Sequence, residues 1–269
     1  MDLSQVSRTA ILLLICRAVE SEKNKTEYYD PMAVFCMDRL MALATEEDRR
    51  WIIRHKRSYE GIGERDAKAG TRRGKVIDHA ANCFIADNPN CTVINLACGL
   101  DTRFWRINNQ KCHFIEIDLP EVIKLKREIL KEHLGYELLS CSALDTSWID
   151  KVTMSRNTGF LIIAEGLFMW FTQHDAIKLI KEFGEKFSQS QLILDMVPEK
   201  YTKGIWKQLF RLHSRIEWGL DVSWDFGIKN PHDIEAFGNG LKVIGVEKGS
   251  VGPVITVSIN AASSDRMHS

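Results

Sequence analysis

At 269 residues the chain is long enough to bury a substantial core, either as one large α/β domain or, the favoured reading, as a domain with an appendage. Lysine plus arginine and aspartate plus glutamate balance at 36 each, which argues against a nucleic-acid partner and for a small ligand. Seven cysteines without metal-ligand spacing read as reduced, cytoplasmic thiols with no metal site, and the apolar run 10–16 is too short to span a bilayer and is interrupted by Arg17, so no membrane partner is expected.

Residues 6–86 have apolar positions at three- and four-residue spacing, which predicts a helical segment broken by the polar stretch 20–29 and by Pro31. Residues 61–74, rich in glycine and charge, are expected to be an exposed connection. This places a helical cap at 1–86 and a core at 87–269, with an insertion around 197–238. From Cys91 onward, short aliphatic runs at 92–96, 113–117, 160–164 and 192–196, with a further strand near 137–141, alternate with helical spacing at 121–134 and 174–187. That alternation predicts an α/β, Rossmann-like, doubly wound and mostly parallel sheet. Two late runs, 242–246 and 253–259, are close enough to pair as an antiparallel hairpin, and the tail from Ala261 reads as frayed.

Ligands of open parallel sheets sit beyond the carboxyl ends of the strands. Four predicted strand ends are polar: Ala97-Cys98-Gly99 followed by Asp101 and Arg103, then Glu116 and Asp118, then Glu165-Gly166, and finally Asp195. A small-residue turn lets the main chain approach a cofactor, and an acid about twenty residues later can accept both hydroxyls of a ribose. Gly99 and Asp118 stand nineteen positions apart. This spacing admits NAD, FAD or S-adenosyl-L-methionine. The single glycine of the turn lacks a dinucleotide fingerprint, which favours the last, a ligand without phosphates. Asp118 suits its ribose, Arg73 or Arg17 its carboxylate, and Glu165 or a carbonyl near Ala97 its cationic end.

The stretches "VINLACGLDTRFWRI", "FIEIDLPEVIKLKREIL", "CSALDTSW" and "LIIAEGLFMWF", with "RRGKVIDHAANCFI" and "SRTAILLLICRA" before them, resemble in order the motifs of the leucine carboxyl methyltransferase family, including its tetracenomycin-type polyketide O-methyltransferase branch. The resemblance reaches to about Met196. It implies a class I fold with a seven-stranded sheet, an N-terminal helical cap and S-adenosyl-L-methionine as cofactor. It further implies that Arg73 holds the methionine carboxylate, Asp118 the ribose and Ser142-Ala143 the adenine, that Glu165 is the acid after the fourth strand, and that Arg17 takes the place of a basic residue near the start of the fold. The sequence departs from the family at Ala97, where many members have glycine, and at Ser142, which replaces an acid. Beyond Met196 it does not match the substrate region of the phosphatase-modifying members, so a small-molecule acceptor is expected instead of a protein tail.

The expected activity is S-adenosyl-L-methionine-dependent O-methylation of a hydroxyl or carboxylate on a small aromatic or lipophilic acceptor. No catalytic residue is assigned, and the oligomeric state is left open. A nicotinamide-dependent oxidoreductase and a non-catalytic S-adenosyl-L-methionine-binding protein are the alternatives. Simpler roles stand beside the sharp ones: Asp118 can cap the helix at Pro120, Glu165 can pair with Arg103, and Arg73 can lie in a solvated charge run. Asp101 and Arg103 are expected to form a structural network under the loop. Trp206, Phe210, Trp218, Trp224 and Phe226, with Met169 and Trp170, either line an acceptor pocket or close the core, and neither His174 nor His213 is chosen as a base.

Overall fold

The computed structural model describes residues 8–23, 26–107, 111–154 and 159–260; the tail from Ala261 lies outside them. Four helices come first: α1 (Arg8–Ser21), α2 (Pro31–Leu43), α3 (Glu46–Glu60) and α4 (Glu64–Asp87). The chain continues through β1 (Thr92–Leu96), α5 (Arg103–Arg106), β2 (His113–Asp118), α6 (Pro120–Leu130), β3 (Glu137–Ser140), α7 (Ser147–Met154), β4 (Phe160–Ala164), α8 (Gln173–Lys186) and β5 (Ser190–Asp195). After α9 (Gly204–Glu217), strands β6 (Leu241–Lys248) and β7 (Pro253–Ile259) close the fold. Helix starts follow local chemistry: the Asp30 carboxylate accepts the Ala33 N–H with Pro31 in the first turn, and Thr45 and Thr172 cap α3 and α8 in the same way.

The strands form one seven-stranded sheet in the order β3-β2-β1-β4-β5-β7-β6. β1 to β5 run parallel, and β7 is antiparallel to both β5 and β6. Every residue of β1 and β4 is buried, as expected of parallel strands covered on both faces. Ile94, Leu96, Ile162 and Leu192 face one side with Phe183 and Phe187. Val93, Leu161, Ile163 and Ile193 face the other, under Ile77, Ala81, Phe84 and Ile85 of α4. The order reverses between β1 and β4, so the ends of β1, β2, β4 and β5 open toward one crevice.

One expectation is corrected. Only 61–63 is a connection between helices, and residues 64–74 are the first turns of α4. The glycines there serve close packing, not a turn. A Cβ at Gly70 would lie 3.5 Å from Leu13 and 3.6 Å from Cys16 of α1, and one at Gly74 would lie 3.2 Å from the Tyr28 hydroxyl. Glycine spacing that reads as a loop in sequence is here the surface on which α1 rests against α4.

Candidate functional site

The turn after β1 is left-handed twice, at Ala97 (φ 52°) and Gly99 (φ 52°). Glycine adopts this conformation freely, whereas alanine does so at a cost of ~1 kcal/mol. The Gly99 N–H donates to Asp118 Oδ2 at 2.6 Å, and the Leu119 N–H donates to Oδ1 at 2.7 Å. The end of β2 thereby holds the end of β1. Burial pushes the Asp118 carboxyl above its ordinary range, with the two N–H groups working against that rise. The side chain does not cap α6. A Cβ at Gly99 would stand 3.0 Å from the Ala10 Cβ, so α1 presses directly on the turn.

Beneath the turn lies a buried ion network. Arg103, fully buried, donates to Asp78 (2.7 Å), Asp101 (2.5 Å), Glu165 (2.5 Å) and the Asn95 carbonyl (3.3 Å). Arg106 donates to Asp78 (2.7 Å), Asp30 (2.8 Å) and Asp101 (3.0 Å). Arg73 of α4 donates from Nε to Glu165 at 2.9 Å and from Nη1 to Asp195 at 3.0 Å, while the other Asp195 oxygen accepts the Gly166 N–H at 2.5 Å. Lys126 of α6 reaches Glu116 (2.5 Å) and the Asp101 carbonyl (2.7 Å). Burial pushes the Glu165 carboxyl upward, but Arg73 and Arg103 more than reverse it, and it is lowered to about 2. Asp101 is likewise held well below the usual range: burial raises it, and Arg103, Arg106 and Arg17 overcome that. The structural network expected of Asp101 and Arg103 is present, and Glu165 joins it to Arg73.

Two cavities meet above these residues. The first, about 460 Å³, is lined by Arg17, Ala97, Gly99, Asp118 and Glu165 together with Thr9, Ala10 and Leu13 of α1. In it, Arg17 donates from Nη2 to the Leu100 carbonyl at 3.1 Å and lies 3.7 Å from Asp101, and its buried Nε has no hydrogen-bond partner among the described residues. The second, about 680 Å³, is lined by Met169, Trp170, Tyr201, Trp206, Phe210, Trp218 and Trp224, and also by Arg73 and His213. Thr9, Leu13, Gly166 and Trp170 border both.

Five of the eight residues singled out in sequence therefore share one cavity, and Arg73 borders the other. Ser142 and Ala143 line neither: the Ser142 hydroxyl accepts the Leu144 N–H at 3.2 Å, and the Ala143 carbonyl accepts the Trp148 indole at 3.3 Å. The aromatic set divides. Trp206, Phe210, Trp218 and Trp224 face the second cavity, with Phe210 stacked on Trp224 at 3.8 Å, whereas Phe226 belongs to the main core. His174 is exposed and lines neither cavity. Arg106, Asp30, Lys126 and Asn95 were not anticipated. Polar residues inside apolar strands, Asn95 in β1 and Glu116 in β2, are the signal that would have pointed to a buried network.

The sequence model for leucine carboxyl methyltransferase matches residues 10–184. The tetracenomycin polyketide synthesis O-methyltransferase TcmP of Streptomyces glaucescens is 28% identical over 179 residues, 66% of this chain and 63% of that protein. The S-adenosyl-L-methionine-dependent methyltransferase dpfgK of Gibberella zeae is 24% identical over 195 residues, 70% of this chain and 63% of its own length. The chain thus spans a little less than two thirds of each of these curated relatives. Among solved structures, a putative methyltransferase from Thermobifida fusca shares the fold at a TM-score of 0.56 and 12% identity, over 93% of this chain and 94% of that one. These methyltransferase relatives do not favour the nicotinamide alternative.

Proposed function

Because the chain belongs to the leucine carboxyl methyltransferase family, we propose that it transfers a methyl group from S-adenosyl-L-methionine to an oxygen of a small aromatic or lipophilic acceptor. The observation that carries this reading is the adjacency of two cavities, one at the strand ends that presents Arg17, Asp118 and Glu165 and one lined by aromatic side chains, sharing the wall at Gly166 and Trp170.

The strand-end cavity fits the cofactor on its own chemistry. The unpartnered Arg17 Nε is a buried donor that lacks an acceptor, and a carboxylate of an amino-acid head group would satisfy it. Both candidate arginines keep donors: Arg17 has the unpartnered Nε, and Arg73, which directs Nε and Nη1 to Glu165 and Asp195, keeps Nη2 beside Gly166. Asp118 accepts ribose hydroxyls there, and the left-handed turn at Ala97 and Gly99 keeps the main chain close. Ser142 and Ala143 follow β3, whose Ser140 pairs with Asp118, so an adenine ring reaching them extends from Asp118 along the strand ends.

When bound, S-adenosyl-L-methionine supplies a methyl already activated by a cationic sulfur. The chain's own residues then have two tasks, to orient the acceptor oxygen and to exclude water. Trp170, whose indole donates to the Gly166 carbonyl at 2.8 Å, and the stacked Phe210–Trp224 pair present flat apolar surface to an acceptor ring. Alignment of this kind can lower a barrier by ~7 to 11 kcal/mol; a carboxylate acceptor has no proton to lose, whereas a hydroxyl acceptor must give its proton to a base or to solvent. Labelled methyl from S-adenosyl-L-methionine should appear on oxygen of a small aromatic or lipophilic compound in a metabolite screen. Transfer only to nitrogen of a nucleic acid, or to a protein C-terminus, would refute this acceptor. Absence of S-adenosyl-L-methionine binding by calorimetry would refute the cofactor.

A further inference from the structure

Two of the seven cysteines meet. Cys91 stands just before β1 and Cys112 just before β2, and because Thr92 lies opposite His113 in the parallel ladder, the two cysteines occupy the next opposed positions. The His113 N–H donates to the Cys91 carbonyl at 3.1 Å, which carries the pairing back to this level. Neighbouring strands lie ~4.8 Å apart, inside the ~4.4 to 6.8 Å that separates the Cα atoms of bridged cysteines. Both side chains pack with the cluster of Val93, Phe114 and Ile193 on one face of the sheet, and their sulfurs are 3.4 Å apart. Among the described residues no other two sulfurs are in hydrogen-bonding contact, and both thiols are free.

The two thiols are not equivalent. Cys91 is 1% exposed, whereas Cys112 is only half-buried, and its sulfur also lies 3.5 Å from the Pro89 carbonyl. With the Cys112 S–H directed to Pro89, the Cys91 S–H donates to the Cys112 sulfur. Burial pushes the Cys112 thiol up, and the hydrogen bond from Cys91 works against that rise by favouring the thiolate. Burial and the same hydrogen bond both push Cys91 up. Cys112 is therefore the sulfur that meets an oxidant, and Cys91 is the shielded partner within reach of it.

We propose that Cys91 and Cys112 form a reversible disulfide when the protein meets a small disulfide oxidant such as glutathione disulfide. The Cys112 thiolate attacks one sulfur of the oxidant, forming a mixed disulfide and releasing one glutathione thiolate. Cys91 gives its proton to solvent, attacks the Cys112 sulfur and expels the second glutathione as thiolate. The two cysteines thereby lose two protons and two electrons, and the sulfur–sulfur bond of the oxidant is the one reduced. The new bond closes a ring that contains the turn at 97–99 together with Asp101, Arg103 and Arg106. It does so at the start of β1, whereas the turn follows the end of that strand. Oxidation thus ties down the segment that builds the crevice without entering the crevice.

Neither step depends on methyl transfer, and the readout is covalent. After incubation of the full chain with glutathione disulfide, remaining thiols are alkylated under denaturing conditions and the peptides are mapped by mass spectrometry. The peptide of Cys91 should be recovered joined to that of Cys112, and dithiothreitol should release it. The urea midpoint of the oxidised protein should rise by about 0.5 to 1 M. The rise should vanish on reduction and in Cys112→Ser. Cys83→Ser, which removes an exposed cysteine elsewhere, should still form the bond. Circular dichroism would verify that each variant is folded. Recovery of both cysteines as free thiols, of Cys112 only as its glutathione adduct, or of Cys112 joined to a different cysteine would overturn the proposal. An unchanged midpoint in the bridged protein would overturn the claim that the bond ties the segment down.

Discussion

The strand-end crevice and the α9 wall of the aromatic cavity both contain arginine–aspartate pairs, but the pairs do different work. At the crevice, the side chains of Arg73, Arg103, Arg106, Asp101, Glu165 and Asp195 are nearly or wholly buried, and Arg103 and Arg106 each join three acids from separate parts of the chain. On α9, Arg211 and Arg215 share Asp221 at the surface. A buried charge is tolerated only in a geometry that satisfies it, so the crevice is held in one arrangement. Surface pairs are screened by water and hold little. A ligand with fixed functional groups suits the first region, whereas the second is built of aromatic area and solvated charge.

The largest expected effect tests the rigid side of this contrast. Arg103→Met leaves Asp78, Asp101 and Glu165 each short of a buried partner, and urea unfolding should show a loss of about 3 to 5 kcal/mol. A loss below ~1 kcal/mol would mean that water or protons replace the guanidinium easily, and the crevice would be no more rigid than the α9 surface.

Acid titration tests the same network without altering its shape. The Glu165 carboxyl is lowered in the folded protein from an ordinary 4.5 to about 2. The folded state therefore binds its proton less readily than the unfolded chain does. Its contribution, about 3 kcal/mol, is present in full above pH 4.5 and is lost as the pH falls toward about 2. Stability measured across that window should fall less steeply in Glu165→Gln than in the unaltered protein. Parallel slopes would remove Glu165 from the network's electrostatics.

Asp118→Ala separates a ligand role from a purely structural one. Calorimetry should record weakening of S-adenosyl-L-methionine binding by about 1 to 3 kcal/mol, since the ribose hydroxyls lose a charged acceptor in a partly desolvated site. Unchanged affinity in a folded variant would leave Asp118 only the task of holding the Gly99 and Leu119 N–H groups.

The smallest effect is expected on α9. Arg211→Ala should leave the urea midpoint where it is, because the pair with Asp221 is solvated. A clear shift would place that pair among the ordering interactions and blur the distinction between the two regions.

Much of the architecture is legible in the sequence, because it is written in local patterns. Apolar runs at 92–96 and 160–164 coincide with β1 and β4, the late pair of runs forms the β6–β7 hairpin, and the polar ends of β1, β2 and β4 converge on one cavity.

What the sequence by itself determined was the alternation of strand and helix, the small-residue turn, and Asp118 at a fixed distance from it. Each depends on residues near one another along the chain or on a strand order that parallel crossovers impose. Tertiary structure alone decided that residues 64–74 are helix, since their glycines matter only where α1 and Tyr28 come against them. It also decided how the two arginines are paired: Arg73 meets Glu165 from 92 positions away and Asp195 from 122, while Arg17 Nε has no partner among the described residues. Charge identity is local information, but pairing is settled by which chain segments packing brings within hydrogen-bond reach and seals from water.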